Sequence, residues 1–283
     1  MSTTHDTAHA GTEAYYTPPP SRWPAIGSLA LLALTSGFIL ILAKQAGGPW
    51  VLAVGAGLLI WMLGGWFGTV IRENEAGLTD GAVDTSFRWG MVWFIFSEVM
   101  FFASFFGALY YARSIAQPLL AEAQLLWPGY RSAWPTLGPG LPGTLTTVSP
   151  WGIPALNTLI LLSSGVTVTW AHWGLLAGRR WQLKAGLAAT IALGVIFLGL
   201  QAYEYVVAPF SMKSGIYGTT FFMLTGFHGL HVTLGAIMLT VIFGRALAGH
   251  FHPHQHFAFE AVAWYWHFVD VVWLLLFVFV YWL

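Results

Sequence analysis

Residues Phe87–Arg113 read FRWGMVWFIFSEVMFFASFFGALYYAR, an apolar run with one carboxyl group, Glu98, at its middle. A membrane-spanning helix needs about 20 mainly apolar residues, and Trp89–Tyr111 supplies them. Arg88 and Arg113 flank the run, where long cationic side chains reach the two water interfaces. A charge at the bilayer centre costs about 2.5–3.5 kcal/mol on insertion scales, so Glu98 is expected to turn away from lipid. Its helical neighbours Phe94, Ile95, Phe101 and Phe102 are apolar, and Gly90, Ser97, Ser104 and Ala108 make a ridge of small residues. Small ridges let membrane helices approach closely. The run therefore predicts a helix bundle with Glu98 pointing inward beside that seam, protonated because burial disfavours the charged form. Two roles stay open for it: a structural hydrogen bond across helices, or a proton-handling or gating group.

The whole chain agrees with a membrane bundle. Of 283 residues 57% are hydrophobic and 8% charged, against about 25% charged in soluble domains. The net charge is zero, which gives no handle for nucleic acid. There is no cysteine, so disulfides, thiol nucleophiles, iron–sulfur ligation and thiolate copper centres are excluded. The 16 Trp and 21 Phe suit a lipid-facing bundle with interfacial belts.

Residues 1–22 form a polar tail containing His5, His9 and Pro18-Pro19-Pro20, and residues 23–283 form the membrane domain. Its seven apolar runs are Trp23–Ala43, Trp50–Ile71, Phe87–Tyr111, Ile153–Ala177, Leu183–Val207, Tyr217–Leu247 and Phe257–Leu283. The alternation of a membrane β-barrel is missing, so helices must satisfy the backbone in lipid. The connection Arg72–Ser86 is polar and acidic, and Ser114–Gly152, with Trp127, Trp134 and Trp151, predicts an ordered loop over the bundle. With the amino terminus inside, seven of the 11 Lys and Arg fall on the inner side. The positive-inside rule then places the amino terminus in the cytoplasm and the carboxyl terminus outside.

Several polar groups lie on the spans. Asn157, Ser164 and His172 share one run, and Gln201 and Glu204 sit near the outer end of the next. His228 and His231, at i and i+3, share a helix face. The last run carries Glu260, His267 and Asp270. A di-metal bundle site calls for Glu-x-x-His on two helices, and no span has it, so no metal is expected. The tract His250, His252, His254, His256 has a metal-binding composition, but its expected place is a solvated loop. Arg72, Arg245 and His250 fall at inner helix ends, where cationic tips meet lipid phosphates. Nothing in the chain outlines a catalytic centre of its own.

Four segments carry a resemblance: FIFSEVMFFASFF at Phe94–Phe106, IPALNTLILLSSGVTVTWAH at Ile153–His172, TTFFMLTGFHGLH at Thr219–His231 and FAFEAVAWYWHFVDVVW at Phe257–Trp273. Together they closely resemble subunit III of haem–copper cytochrome c oxidase, from about Trp61 to the carboxyl end. The resemblance implies an all-α protein of seven transmembrane helices, split two plus five around a V-shaped cleft filled with phospholipid. It implies no redox centre here, with haem a, haem a3 and copper in partner subunits. The chain would pack on subunit I, with subunit II and a small subunit IV nearby and cytochrome c as electron donor. It would sustain proton uptake, oxygen access and turnover stability, and the length of Ser114–Gly152 points to a bacterial inner membrane. Glu98 falls at the family's intramembrane glutamate, and Arg72, Arg245 and His250 fall at its lipid-headgroup contacts.

The sequence departs from that pattern in places. Leu78-Thr79-Asp80-Gly81 stands where the family often has His-His-Thr-Pro, and Gly68 stands where it often has Arg. Ser114–Gly152 is expected to be longer than in mitochondrial forms. The alternatives are the related subunit of a quinol oxidase or nitric oxide reductase, which usually lacks the first two helices, and an autonomous transporter, which tends to show inverted repeats.

Overall fold

The computed structural model describes residues 15–283 other than Asp80, Pro142, Thr144 and His254. His5, His9, Asp80 and His254 of the readings above therefore lie outside the described residues. Seven helices are long and apolar enough to cross a membrane, and no strand occurs among the described residues. The chain divides into two compact units, Met1–Phe87 and Arg88–Leu283.

The first unit holds α1 (Trp23–Leu42) and α2 (Gly48–Glu75). Both helices open with proline in the first turn, Pro24 and Pro49, where a missing N–H removes no helical bond. They run antiparallel, since Gly37 meets Leu52 and Gly55 meets Leu34. A Cβ on Gly37 would lie 2.4 Å from the Leu52 nitrogen, and one on Gly55 would lie 2.6 Å from that of Leu34. Backbone thus touches backbone, the small-residue mode of membrane packing. Tyr16 reaches up from the described part of the tail and donates to Glu73 Oε1 at 3.2 Å.

α3 (Ala82–Tyr111) crosses the boundary between the units. It continues through a wide turn, Ala112–Ala116, into α4 (Gln117–Glu122). The polar connections predicted at Arg72–Ser86 and from Ser114 onward are thus shorter than expected. α2 runs on to Glu75, α3 already begins at Ala82, and helix persists to Glu122. Helix hydrogen bonds are internal to the segment, so a helix extends past the end of its apolar run as readily as polar residues allow.

The larger unit also contains α5 (Ile153–Leu176), α6 (Arg180–Val207), α7 (Gly215–Ala248) and α8 (Phe257–Leu276), the last prolonged by a wide turn, Phe277–Trp282. α7 ends on Gly249 at φ 83°, the left-handed stop that glycine accepts without strain. The core is aromatic: Trp266, Trp273, Tyr265, Phe197, Phe221 and Phe259 are fully buried. Trp266 fits because Gly194 and Gly235 have no side chain; a Cβ on either would lie 2.8 Å from its ring. The indole nitrogens find partners on α5, Trp266 donating to Ser164 Oγ at 2.8 Å and Trp273 to Thr158 Oγ1 at 2.9 Å. The long loop does lie on this unit. Trp134 packs on Tyr217 with centroids 5.7 Å apart, whereas Trp151 stays exposed against Trp282.

The small ridge of α3 makes no seam within the unit Arg88–Leu283. Gly90, Ser97, Ser104 and Ala108 are exposed, and the two serine hydroxyls fold back on the carbonyls of Phe94 and Phe101. The face turned to the core is the aromatic one, with Ile95, Phe101, Phe102, Phe105 and Leu109. Packing of large rings outweighs close backbone approach here, because an interlocked ring makes more van der Waals contacts than a glycine step does.

Candidate functional site

The larger unit gathers its polar side chains into four clusters. In the first, α3 presents Glu98 and α7 presents His231, with Glu98 Oε2 2.8 Å from His231 Nε2. His231 Nδ1 lies 2.6 Å from the Phe227 carbonyl, which only accepts, so Nδ1 carries hydrogen. In a neutral ring Nε2 is then an acceptor, and the contact with Glu98 requires one further proton between them. It sits on the carboxyl or on the ring, so the two side chains share one hydrogen across the contact. Phe101 and Phe102 flank the imidazole, at 5.7 and 4.9 Å between centroids, and Tyr265 stacks on it at 6.5 Å. Glu98 is 22% exposed along its side chain, so this pair lies at the rim of the bundle rather than in its middle.

His228 does not join Glu98. Its Nε2 donates to the Val269 carbonyl at 3.2 Å, and its ring packs between Phe197 and Trp273. One helical turn from His231, it is a buried bracing group between α7 and α8.

The second cluster stands at the start of α8. Arg88 pairs with Glu260 Oε2, and His256 Nε2 lies 2.8 Å from Glu260 Oε1. His172 Nε2 is 3.8 Å from the same oxygen. Glu260 thus occupies the first turn of α8, at the end of the span, and the Arg88 guanidinium also covers the Phe257 ring at 5.0 Å. His172, His256 and Glu260 offer ligand atoms within 4.8 Å of one another, a set that could hold a metal ion. Arg88 already supplies a positive charge to Glu260, so the carboxyl is balanced without one. The expectation of a solvated histidine loop fails at His256, which is 10% exposed along its side chain. Its sequence signal was the i,i+4 spacing to Glu260, which sets both on one helix face.

The third cluster surrounds Glu204, 1% exposed. Tyr281 donates to its Oε1 at 2.6 Å, and Gln201 Nε2 donates to the same oxygen at 3.2 Å. Asn157 Nδ2 donates to Gln201 Oε1 at 3.4 Å. The Glu204 carboxyl ties α6 to the turn Phe277–Trp282, and Gln201 extends the link to α5; the sequence marks Glu204 by position without assigning it a role.

The fourth cluster is His267 and Asp270 on α8 with Thr169 on α5. His267 Nε2 lies 3.3 Å from Thr169 Oγ1, and Nδ1 lies 3.6 Å from Asp270 Oδ2.

Of the basic groups expected to meet lipid, Arg72 is exposed in the last turn of α2, where its Nη2 donates to Thr69 Oγ1 at 3.1 Å. Arg245 is 7% exposed and lies over the Phe251 ring at 4.8 Å, and His250 is partly buried just beyond the α7 stop.

Comparison with known proteins gives a consistent result. A family model described as cytochrome c oxidase subunit III matches residues 13–283. The chain is 46% identical to the cytochrome c oxidase subunit 3 of Marchantia polymorpha over 264 residues, 93% of this chain and 94% of that protein. It is 45% identical to the protein of the same name from Dasypus novemcinctus over 272 residues, 96% and 97% of the two chains. The corresponding protein of Formosania lacustris is 44% identical over 270 residues, 95% and 97%.

Proposed function

Because the chain belongs to the cytochrome c oxidase subunit III family, we propose that it acts as the non-redox third subunit of a proton-pumping oxidase. In that role it packs on subunit I, beside subunit II and a small subunit IV. Haem a, haem a3 and copper belong to those partners, and cytochrome c delivers electrons to them. The observation that carries this reading is the family match, continuous through all seven spans. The lysine and arginine distribution supports an amino terminus on the inner side of the membrane and a carboxyl terminus on the outer side, cytoplasm and periplasm if the membrane is a bacterial one. The exposed guanidinium of Arg72 suits a phospholipid headgroup; His250, partly buried at the end of α7, would meet the same layer, while Arg245, buried over Phe251, would reach it only from beneath that ring. Residues 1–22 would serve as a tail to the membrane domain 23–283.

Within that role Glu98 and His231 handle a proton on behalf of the complex. The proton they share would pass to a polar group of a partner subunit laid over the bundle rim, so the core need not open. Mild-detergent purification tests the main reading: the chain should co-elute with a haem-bearing subunit, and elution as a stable, haem-free lone chain would contradict it. Glu98→Gln should leave assembly intact, because the amide N–H donates to His231 Nε2 as a protonated acid does. Proton uptake measured on the assembled oxidase should fall, since the amide carries no exchangeable charge. Loss of the subunit from the complex would show instead that Glu98 is ionised and structurally paired.

A further inference from the structure

α5 and α8 enclose an open groove of ≈ 660 Å³ lined by Gly165, Val166, Thr169, Trp173, His267 and Val271, with Asp270 at its floor. Val166, Trp173 and Val271 on its walls are 69%, 63% and 56% exposed. Its polar floor is incomplete. Asp270 Oδ1 is buried without a partner, and Oδ2 meets only His267, at 3.6 Å, beyond hydrogen-bond length. Side-chain exposure is 9% for Asp270 and 46% for His267. Both residues lie about halfway along the span Phe257–Trp282.

Depth decides what can cover this place. Half of a hydrocarbon layer about 30 Å thick separates it from the headgroups on either side. Acyl chains reach it but offer neither donor nor acceptor, and an incompletely bonded carboxyl and imidazole at this depth are costly against lipid. A neighbouring polypeptide is the covering that brings hydrogen-bonding groups to mid-membrane. The groove is also shaped for one. Gly165 and Thr169, at i and i+4 on α5, form a small-x-x-x-small step of the kind that admits a crossing helix. A Cβ at Gly165 would lie 2.7 Å from Asp270 Oδ2, so that glycine keeps the floor open.

We infer that this groove seats a membrane-spanning helix of another oxidase subunit, which places a hydrogen-bonding side chain over His267 and Asp270. The inference rests on the reading of the chain as an oxidase subunit and adds the surface through which it is held. The exposed ridge of α3 has no comparable unsatisfied group and makes no such demand.

The chain has no cysteine, so Val271→Cys gives a unique attachment point on the groove wall. The variant is assembled into the whole oxidase in its own membrane, labelled with a benzophenone maleimide and irradiated. Haem absorbance of the purified complex is recorded first. If no haem subunit co-purifies, the oxidase reading and this inference both fall. With haem present, a cross-linked product that contains a peptide of another oxidase subunit is the expected result. Labelling of lipid alone, or of a second copy of this chain, overturns the inference and leaves the oxidase reading standing. A second variant, Val271→Trp, fills the groove from an exposed position. Retention of the chain on the haem subunit should fall about tenfold in a detergent-wash series, with helicity unchanged by circular dichroism. Full retention would overturn the inference.

Discussion

Each unit is held together internally by different physics. In the α1–α2 hairpin glycine lets backbone lie on backbone at Gly37 and Gly55, and no polar side chain bridges the two helices among the described residues. In the unit Arg88–Leu283 rings fill the interior, and polar pairs join the helices: Ser164 to Trp266, His231 to Glu98, Tyr281 to Glu204. Lipid tails are as apolar as leucine, so hydrophobicity alone drives neither assembly. The hairpin depends on dispersion at close range, which any added atom disrupts. The larger unit depends on buried polar groups that have no better partner elsewhere, which tolerates a change of shape better than the loss of a donor.

Four experiments sharpen or break this contrast, each measured as a change in unfolding free energy of the purified complex. Trp266→Ala should cost about 3–5 kcal/mol, the range for a fully buried large aromatic, because both its cavity and Ser164 are then left unfilled. Gly37→Leu should cost about 3 kcal/mol, the upper range of overpacking, and release α1 from α2. Gly90→Leu serves as its control, since a Cβ there meets nothing within 4 Å. Were Gly37→Leu as harmless as Gly90→Leu, the backbone contact would not be what holds the hairpin. Glu204→Leu should cost about 1–3 kcal/mol, the loss expected when buried donors are stranded, here Tyr281 and Gln201. A double-mutant cycle on Glu98→Leu and His231→Phe should give the smallest effect, a coupling of about 0.6–1.7 kcal/mol as for membrane hydrogen bonds generally. A coupling near zero would mean that the rim pair contributes no more than two isolated side chains.

The number and order of the spans were legible, because seven apolar runs separated by polar segments have one solution in a bilayer. The helix ends were not, since Arg72–Glu75 is polar yet helical, and Gln117–Glu122 is helical although Pro118 and a polar residue at each end suggest a loop. Glu98 stood out as a carboxyl in an apolar run. That its partner is His231 and not His228, three residues away, depends on how α7 is rotated against α3. The small ridge of α3 gave a false lead for a related reason: a pattern of glycine and serine says that a helix can be approached, and not by what. Glu204 was visible as a residue and invisible as a centre, because Tyr281 lies 77 positions away in sequence.

Composition and hydropathy therefore determined by themselves that this chain is a bundle of seven membrane helices without a thiol centre, since a backbone in lipid has few ways to satisfy its hydrogen bonds. Only the tertiary structure decided which polar groups face one another, because pairing in a bundle turns on the rotation of each helix about its own axis. A linear pattern fixes which face is polar but leaves open the neighbour it meets.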